Sequence, residues 1–146
     1  MIPRSPRTGL PLIRKTRPEP STRCNEPPPP ELLTGIAQFN AGDYWHCHET
    51  LETLWRSEPN PIRSLYQGIL LIGVGYYHLH RHNRRGALVK LQQGLERLQP
   101  FRPACMGLDV EGLVLAAEGV AHPLRDGTAQ DSDVERAVPQ IRMREL

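Results

Sequence analysis

The feature that most constrains the fold is a helical spacing of apolar residues that runs through the chain from residue 31 onward. In successive segments, apolar side chains recur at intervals of three and four residues, which is the repeat of an amphipathic α-helix. The clearest stripe consists of Ala87, Leu88, Leu91, Leu95 and Leu98. No run of alternating apolar and polar residues indicates a β-strand. The sequence therefore predicts an all-α protein.

Helix-capping and helix-ending residues divide this periodic region into segments joined by short loops. We expect helices at about 31–41, 44–57, 62–81 and 84–99, with a fifth that begins near 110. Gly42 is placed to end the first helix, and Asp43, Asn83 and Asp109 are placed to cap the second, fourth and fifth. Short loops favour antiparallel neighbours. We therefore predict a compact array of four to five antiparallel helices.

The distribution of proline and charge separates this array from the two ends of the chain. Residues 1–30 hold nine of the fifteen prolines and a net charge of about +4, with few large apolar side chains. Such a segment cannot bury enough surface to offset its chain entropy. We predict a disordered Pro/Arg-rich leader at 1–30, a helical domain at 31–125 and a flexible tail at 126–146.

The charge pattern also bears on the partners that the domain can have. Acidic and basic residues balance between residues 31 and 125, so the folded part has no basic stripe of the kind that binds nucleic acid. We expect no nucleic-acid partner, although a leader-assisted nucleic-acid accessory protein remains a third alternative. The longest apolar run, Ile69–Tyr77, is about half of the length that a bilayer crossing requires. We expect a soluble protein without a membrane partner.

The cysteines give an expectation about the compartment. Cys24, Cys47 and Cys105 are odd in number, widely spaced and without a CxxC pair. This pattern favours unpaired thiols in a reducing compartment, hence the cytoplasm, and argues against a cysteine-based zinc site. For Cys47 we expect the role of a small buried thiol in a helix.

The stretch from Gly42 to Arg56 concentrates chemically versatile residues on one helix. A rotation of 100° per residue places Trp45 and Trp55 on the stripe that should face the core, with His48 and Glu52 in its middle and His46 on the opposite side. Glu49 falls at the rim of the stripe. An imidazole and a carboxylate one turn apart on an apolar face must be paired and hydrogen-bonded. We therefore expect a polar His/Glu seam within the helical core.

Several short motifs carry a resemblance to a known family. They are Phe39-Asn40-Ala41-Gly42-Asp43-Tyr44, His48-Glu49-Thr50-Leu51-Glu52, Trp55, Tyr66-Gln67-Gly68, Tyr77-His78 and Asn83-Arg84-Arg85-Gly86-Ala87. In order and spacing, residues 31–101 resemble the domain of unknown function 309, a group of small all-helical proteins. The resemblance implies a compact helical fold and brings no established activity. Together with Trp55, the polar positions that match the family give the candidate pocket His48, Glu49, Glu52, Trp55, Gln67, His78 and Asn83.

The geometry of a helical hairpin predicts which of these candidate residues can lie close enough to share a ligand or a metal ion. An antiparallel hairpin around residues 58–61 places Glu52 opposite Gln67 and His48 opposite Leu71. His78 then lies about 10 Å along the helix from Leu71, too far to share a metal ion with His48. For the His-rich stretch 78–82 we expect His78 to face inward and to bond the backbone or a cap near Asn83, while His80 points away.

The sequence thus favours a small binding or interaction module with a polar His/Glu seam, without a cofactor or a metal ion. Its partner would be a small molecule or a protein, and a second copy of the chain is one such protein. The alternative is a metal-dependent hydrolase, in which the HETLE segment acts as a variant of HExxH. That enzyme would use His48, Glu49 and Glu52.

Overall fold

The structure, a computed structural model, describes residues 22–130 and 138–144. Five consecutive α-helices form the body of this part of the chain. They are α1 (Pro30–Asn40), α2 (Tyr44–Ser57), α3 (Arg63–His80), α4 (Arg84–Leu98) and α5 (Val110–Asp126). Each helix packs against the next one in sequence. The predicted all-α, antiparallel array is confirmed, and the helix boundaries lie within one or two residues of those expected.

Local capping explains why the boundaries were predictable. The side chains of Asp43, Asn83 and Asp109 each accept a hydrogen bond from the backbone N–H three residues later, at the starts of α2, α4 and α5. Such caps satisfy N–H groups that have no partner within the helix. At the other end of α5, Gly127 adopts a left-handed conformation with φ of 74°. Each of these signals depends only on residues a few positions apart, so it can be recognised in the sequence.

Helix α3 lies at the centre of the array and approaches α4 closely. A Cβ atom at Gly75 would lie 2.7 Å from Leu91, and one at Gly94 would lie 2.9 Å from the carbonyl oxygen of Gly68. The two helix backbones therefore lie close together at Gly75 and Gly94. At Gly73, by contrast, the nearest neighbour of a Cβ would be at an ordinary distance of 3.6 Å.

A small β-hairpin follows α4, although the sequence analysis identified no strand. Strands β1 (Ala104–Cys105) and β2 (Leu108–Asp109) pair antiparallel. The turn between them has positive φ at Met106 (51°) and Gly107 (78°). Two-residue strands are too short to produce an alternation of apolar and polar residues, so the periodicity of the sequence could not reveal them.

The folded part begins before residue 31. Residues 22–29, which we call the strap, start with the 3-10 helix Thr22–Asn25. A disulfide joins Cys24 to Cys105, and the backbone N–H of Met106 donates to the Cys24 carbonyl at 2.7 Å. The predicted leader was therefore too long at its C-terminal end, because these contacts fix the strap on the domain. Its remaining residues, 1–21, lie outside those that the structure describes.

The C-terminal segment also returns to the domain, where the sequence predicted a flexible tail. Ile141 is 4% exposed, and its backbone N–H donates to Asn40 Oδ1 at 2.7 Å. Met143 forms a β-bridge with Leu108. Residues 138–144 therefore contribute to the fold, whereas 131–137 and 145–146 lie outside the described part of the chain.

The disulfide corrects the interpretation of the cysteines. Cys24 and Cys105 are paired, while Cys47 is free and fully buried as expected. The pair is 81 residues apart in sequence and meets only because the strap and the hairpin meet. The argument for a reducing compartment rested on unpaired thiols and no longer holds. Within the described residues, no helix is long and apolar enough to cross a membrane.

Candidate functional site

The side of α2 that packs against the core is not the one that the sequence predicted. Its buried side chains are Tyr44, Cys47 and Leu51, each at most 3% exposed. His48 and Glu52 lie at the edge of this buried side, with 32% of each side chain exposed. The predicted core-facing stripe was therefore wrong by about 60° around the helix axis. The His/Glu pair is a half-exposed surface feature, and the expected seam within the core is not formed.

The error has a physical reason. The predicted stripe was drawn around two large aromatic residues, but Trp45 is 56% exposed and Trp55 is half-buried. Gly35 on α1 has no side chain, and Leu51 occupies the space in which its Cβ would lie, at a distance of 2.6 Å. Helix α2 is accordingly rotated so that Leu51, and not His48, fills the space between the helices. The expectation that His46 faces water is met, since its side chain is 61% exposed.

Trp45 is exposed, but its ring lies beside two other rings, stacked on one and tilted against the other. Its ring centroid lies 6.2 Å from that of His48 on α2 and 6.1 Å from that of Tyr77 on α3. The guanidinium of Arg81 lies over the Tyr77 ring, 5.4 Å from its centroid. Ring–ring and cation–π contacts each contribute about 0.5–1.5 kcal/mol. These neighbours therefore hold the Trp45 ring in one place at the surface.

The other end of α2 carries a second pair of an aromatic ring and a cation. The guanidinium of Arg63, at the start of α3, lies 5.1 Å from the centroid of the Trp55 ring. Between the two tryptophans, Glu52 Oε2 lies 3.8 Å from His48 Nε2 and 3.5 Å from Arg56. We call this surface the α2–α3 face. It comprises Trp45, His48, Glu52 and Trp55 from α2, Arg63 and Tyr77 from α3, and Arg81, which directly follows α3.

The contacts across this face agree with the predicted hairpin register. Trp55 meets Arg63 and Trp45 meets Tyr77, as expected for α2 and α3 running antiparallel around the turn at 58–61. Gln67, which the predicted register placed opposite Glu52, is half-buried on α3 and makes no hydrogen bond with Glu52. The α3 side of the face thus meets α2 mainly through ring and cation contacts.

His78 and Asn83 contact each other at the turn between α3 and α4. Asn83 caps α4, and its Nδ2 lies 3.3 Å from Nδ1 of the half-buried His78. This is the structural role that the sequence favoured for His78. His80 was expected to point away from the core, but its ring lies 5.6 Å from that of Tyr44, because the end of α3 lies beside the start of α2.

The geometry does not assemble the ligand set that a metal-dependent hydrolase needs. His48 and Glu52 provide two ligands, whereas Glu49 is exposed on another side of α2. Within residues 22–130 and 138–144, no group of three His, Cys, Asp or Glu side chains lies close enough to hold one ion. The third ligand of that mechanism is therefore missing from the described part of the chain.

A buried aromatic cluster lies beneath one end of the face. The ring of Tyr44 makes an edge contact with Phe39, with centroids 5.4 Å apart, and stacks on Tyr76 at 5.9 Å. Burial, with a smaller effect of the Asp43 carboxylate, raises the pKa of the neighbouring Cys47 to about 12. The thiol is therefore protonated at neutral pH and is not a nucleophile. This cluster is a rigid base for the start of α2.

Sequence reasoning missed the α3 half of the face and the role of Trp45. Arg63, Tyr77 and Arg81 were not candidate residues, although the predicted hairpin register already placed Tyr77 close to Trp45. A second signal was available in the charges, because no Asp or Glu occurs between Glu58 and Glu96. The exposed side of α3 therefore had to be neutral or cationic.

Comparison with known proteins agrees with the resemblance described above. The model of the family "Domain of unknown function (DUF309)" matches residues 32–89, a segment that runs from α1 into α4 and contains the α2–α3 face. The "Uncharacterized protein YpuF" of Bacillus subtilis (strain 168) is 30% identical over 108 residues, which are 71% of this chain. The match covers 62% of that relative's length. No solved structure matches the chain.

Proposed function

We propose that this domain is a protein-binding module and that the α2–α3 face is its contact surface. The observation that carries the proposal is Trp45, which is 56% exposed while His48 and Tyr77 hold its ring in place. Tryptophan, tyrosine and arginine are the residues most enriched where binding energy concentrates in protein interfaces. All three types occur together on this face.

The charges of the face indicate what the partner should carry. Because the chain has no acidic residue between Glu58 and Glu96, α3 contributes only cations to the surface. A guanidinium stacked on a ring still presents N–H groups at its edge, where they can bind a carboxylate. We infer a partner segment with an apolar or aromatic side chain for Trp45 and Asp or Glu beside it.

The length of the face limits the size of this segment. Trp45, His48, Glu52 and Trp55 follow one another at intervals of three and four residues along one side of α2. This row is about 15 Å long at 1.5 Å per residue. A helical partner segment of about ten residues, or an extended one of about five, would cover it.

Protein binding is better supported than the hydrolase alternative. The hydrolase needs a third ligand beside His48 and Glu52, and the described residues offer none. Binding needs only the rings and cations that are already in position.

The proposal can be tested by selecting ligands for the purified protein from a library of random peptides displayed on phage. We expect the selected peptides to combine an apolar or aromatic residue with neighbouring Asp or Glu. Their dissociation constants, measured by fluorescence anisotropy, should rise about 30-fold for Trp45→Ala, the size of a hot-spot effect. Their affinity should also fall with added salt, because carboxylates contact Arg63 and Arg81.

Two matched controls make this test specific. Leu115 is 60% exposed on α5, so Leu115→Ala removes an exposed apolar side chain away from the face and should leave the affinity unchanged. Arg125→Ala, also on α5, is the control for Arg81→Ala, which should weaken binding several-fold. Selected peptides that bind Trp45→Ala as tightly as the parent would disprove the proposal. So would a selection dominated by basic peptides.

A further inference from the structure

The strap is attached to the domain mainly by its disulfide. The buried apolar core of the described residues contains no side chain from residues 22–29, and Cys24 packs against it from outside. Further connections include the hydrogen bond from Met106 N–H to the Cys24 carbonyl and the ion pair of Arg23 with Glu58. The strap therefore depends on the Cys24–Cys105 bond to stay in place.

The ion pair links the strap to the turn at the end of the α2–α3 face. Arg23 Nη1 donates to Glu58 Oε1 at 2.8 Å, and Asn60 donates to the other oxygen from its backbone and its side chain. Burial alone would raise the pKa of Glu58, but these hydrogen bonds lower it overall. Glu58 is also the C-cap of α2, with its N–H bonded to the Trp55 carbonyl. The strap thus braces the turn between Trp55 and Arg63.

The disulfide is open to a reductant from one side. Cys24 and Cys105 line an open cleft of about 470 Å³, together with Pro28, Met106 and Met143. Cys24 is partly exposed, whereas Cys105 is 1% exposed, so a thiol that enters the cleft approaches the disulfide from the side of Cys24. Exposed disulfides are the labile ones in proteins. The third cysteine does not take part in exchange, because it is fully buried and protonated at neutral pH.

We propose that the Cys24–Cys105 disulfide is a redox switch that controls the α2–α3 face through the strap, an inference that rests on the binding function proposed above. A thiolate of a dithiol reductant attacks Cys24 Sγ, and Cys105 leaves as a thiolate that takes up a proton. The second thiol of the reductant then displaces Cys24 from the mixed disulfide. Two electrons and two protons pass to the protein, and the reductant becomes a cyclic disulfide.

Reduction has a defined structural consequence. Without the disulfide, the strap leaves the domain and Arg23 no longer holds the Glu58 carboxylate. The turn at residues 58–62 then loses one of its braces, and the Trp55–Arg63 end of the face becomes more mobile. Trp45, at the other end of α2, keeps its contacts with Tyr77. The oxidised protein therefore presents the complete face, and the reduced protein presents only the Trp45 end in a fixed arrangement.

Amide hydrogen exchange on the full chain, with and without dithiothreitol, tests this inference without any peptide. We expect reduction to speed exchange by at least about tenfold at the amides of Met106, Glu58 and Asn60, because their hydrogen bonds open more often; Glu58 and Asn60 report on the turn at residues 58–62, whose two prolines have no amide hydrogen. The Cys24→Ser/Cys105→Ser variant should show the fast pattern under both conditions. Arg23→Gln should speed exchange at 58–62 alone in the oxidised protein, which separates the ion pair from the disulfide.

The outcomes separate the switch from the binding function. If reduction leaves exchange at residues 58–62 unchanged, the strap does not brace the turn and the switch is disproved, whatever the peptides do. If exchange responds but no acidic peptide binds at Trp45, the binding function fails while the coupling of the strap to the turn stands. If both hold, the selected peptides should bind the oxidised protein at least about threefold more tightly than the reduced protein. Equal affinities would disprove control of the face.

Discussion

A close contact between a glycine of α4 and the backbone of α3 offers a demanding test of the packing between these helices. A Cβ atom at Gly94 would lie 2.8 Å from Ile72 Cδ1 and 2.9 Å from the backbone oxygen of Gly68. The side chain of Ile72 can rotate, but the Gly68 carbonyl belongs to α3 and cannot move alone. Gly94→Ala must therefore push the two helices apart. Overpacking of this kind costs about 1–3 kcal/mol, and contact with backbone favours the upper end.

Alanine also has a stabilising effect, its higher helix propensity, which can be measured at another glycine of the same protein. Alanine is a better helix former than glycine by about 1 kcal/mol, so the net loss of stability for Gly94→Ala should be about 2 kcal/mol. Gly119, in α5, would place a Cβ with nothing within 4 Å. Gly119→Ala should therefore gain up to about 1 kcal/mol. Urea denaturation followed by far-UV circular dichroism gives both values. Equal stabilities of the two variants would show that α3 and α4 are not in the described contact.

Three further substitutions test other parts of the structure. Phe39→Ala should cost about 3–5 kcal/mol in urea denaturation, because its ring is fully buried against Tyr76; a cost below about 1 kcal/mol would contradict this packing. Asn83→Ala removes the cap of α4 and should cost about 0.5–2 kcal/mol, and an unchanged thermal melt would argue against the cap. Hydrogen bonds from Arg102 lower the pKa of Glu111, so this pair stabilises the fold above the usual pKa of glutamate and loses its effect as pH falls through the folded value. Glu111→Gln should flatten that part of the stability–pH curve, and an unchanged slope would refute the assignment.

The elements of the fold could be predicted because their signals are local. Asp43, Asn83 and Asp109 each mark a helix start through a bond to a residue three positions away. The register of α2 against α3 followed from the length of one short turn. Neither signal requires knowledge of any distant contact.

The rotation of α2 could not be predicted in the same way, because it depends on a residue of another helix. Large apolar rings suggested that Trp45 and Trp55 face inward, whereas the space beside Gly35 accepts Leu51. Pairing of Cys24 with Cys105 is likewise a contact between distant segments. A helical wheel ranks faces by composition, and composition favours a tryptophan even where the neighbouring helix leaves room only for a leucine.

The central claim, that the α2–α3 face binds a partner segment, is tested most directly by nuclear magnetic resonance on the ¹⁵N-labelled protein. The chain contains two tryptophans, so it gives two indole N–H signals, one at each end of the face. Titration with a selected acidic peptide should shift both indole signals and the backbone amides of residues 45–55, while the amide of Leu115 on α5 stays in place. Shifts confined to α4 and α5, or to the cleft beside Met143, with both indole signals unmoved, would contradict the account.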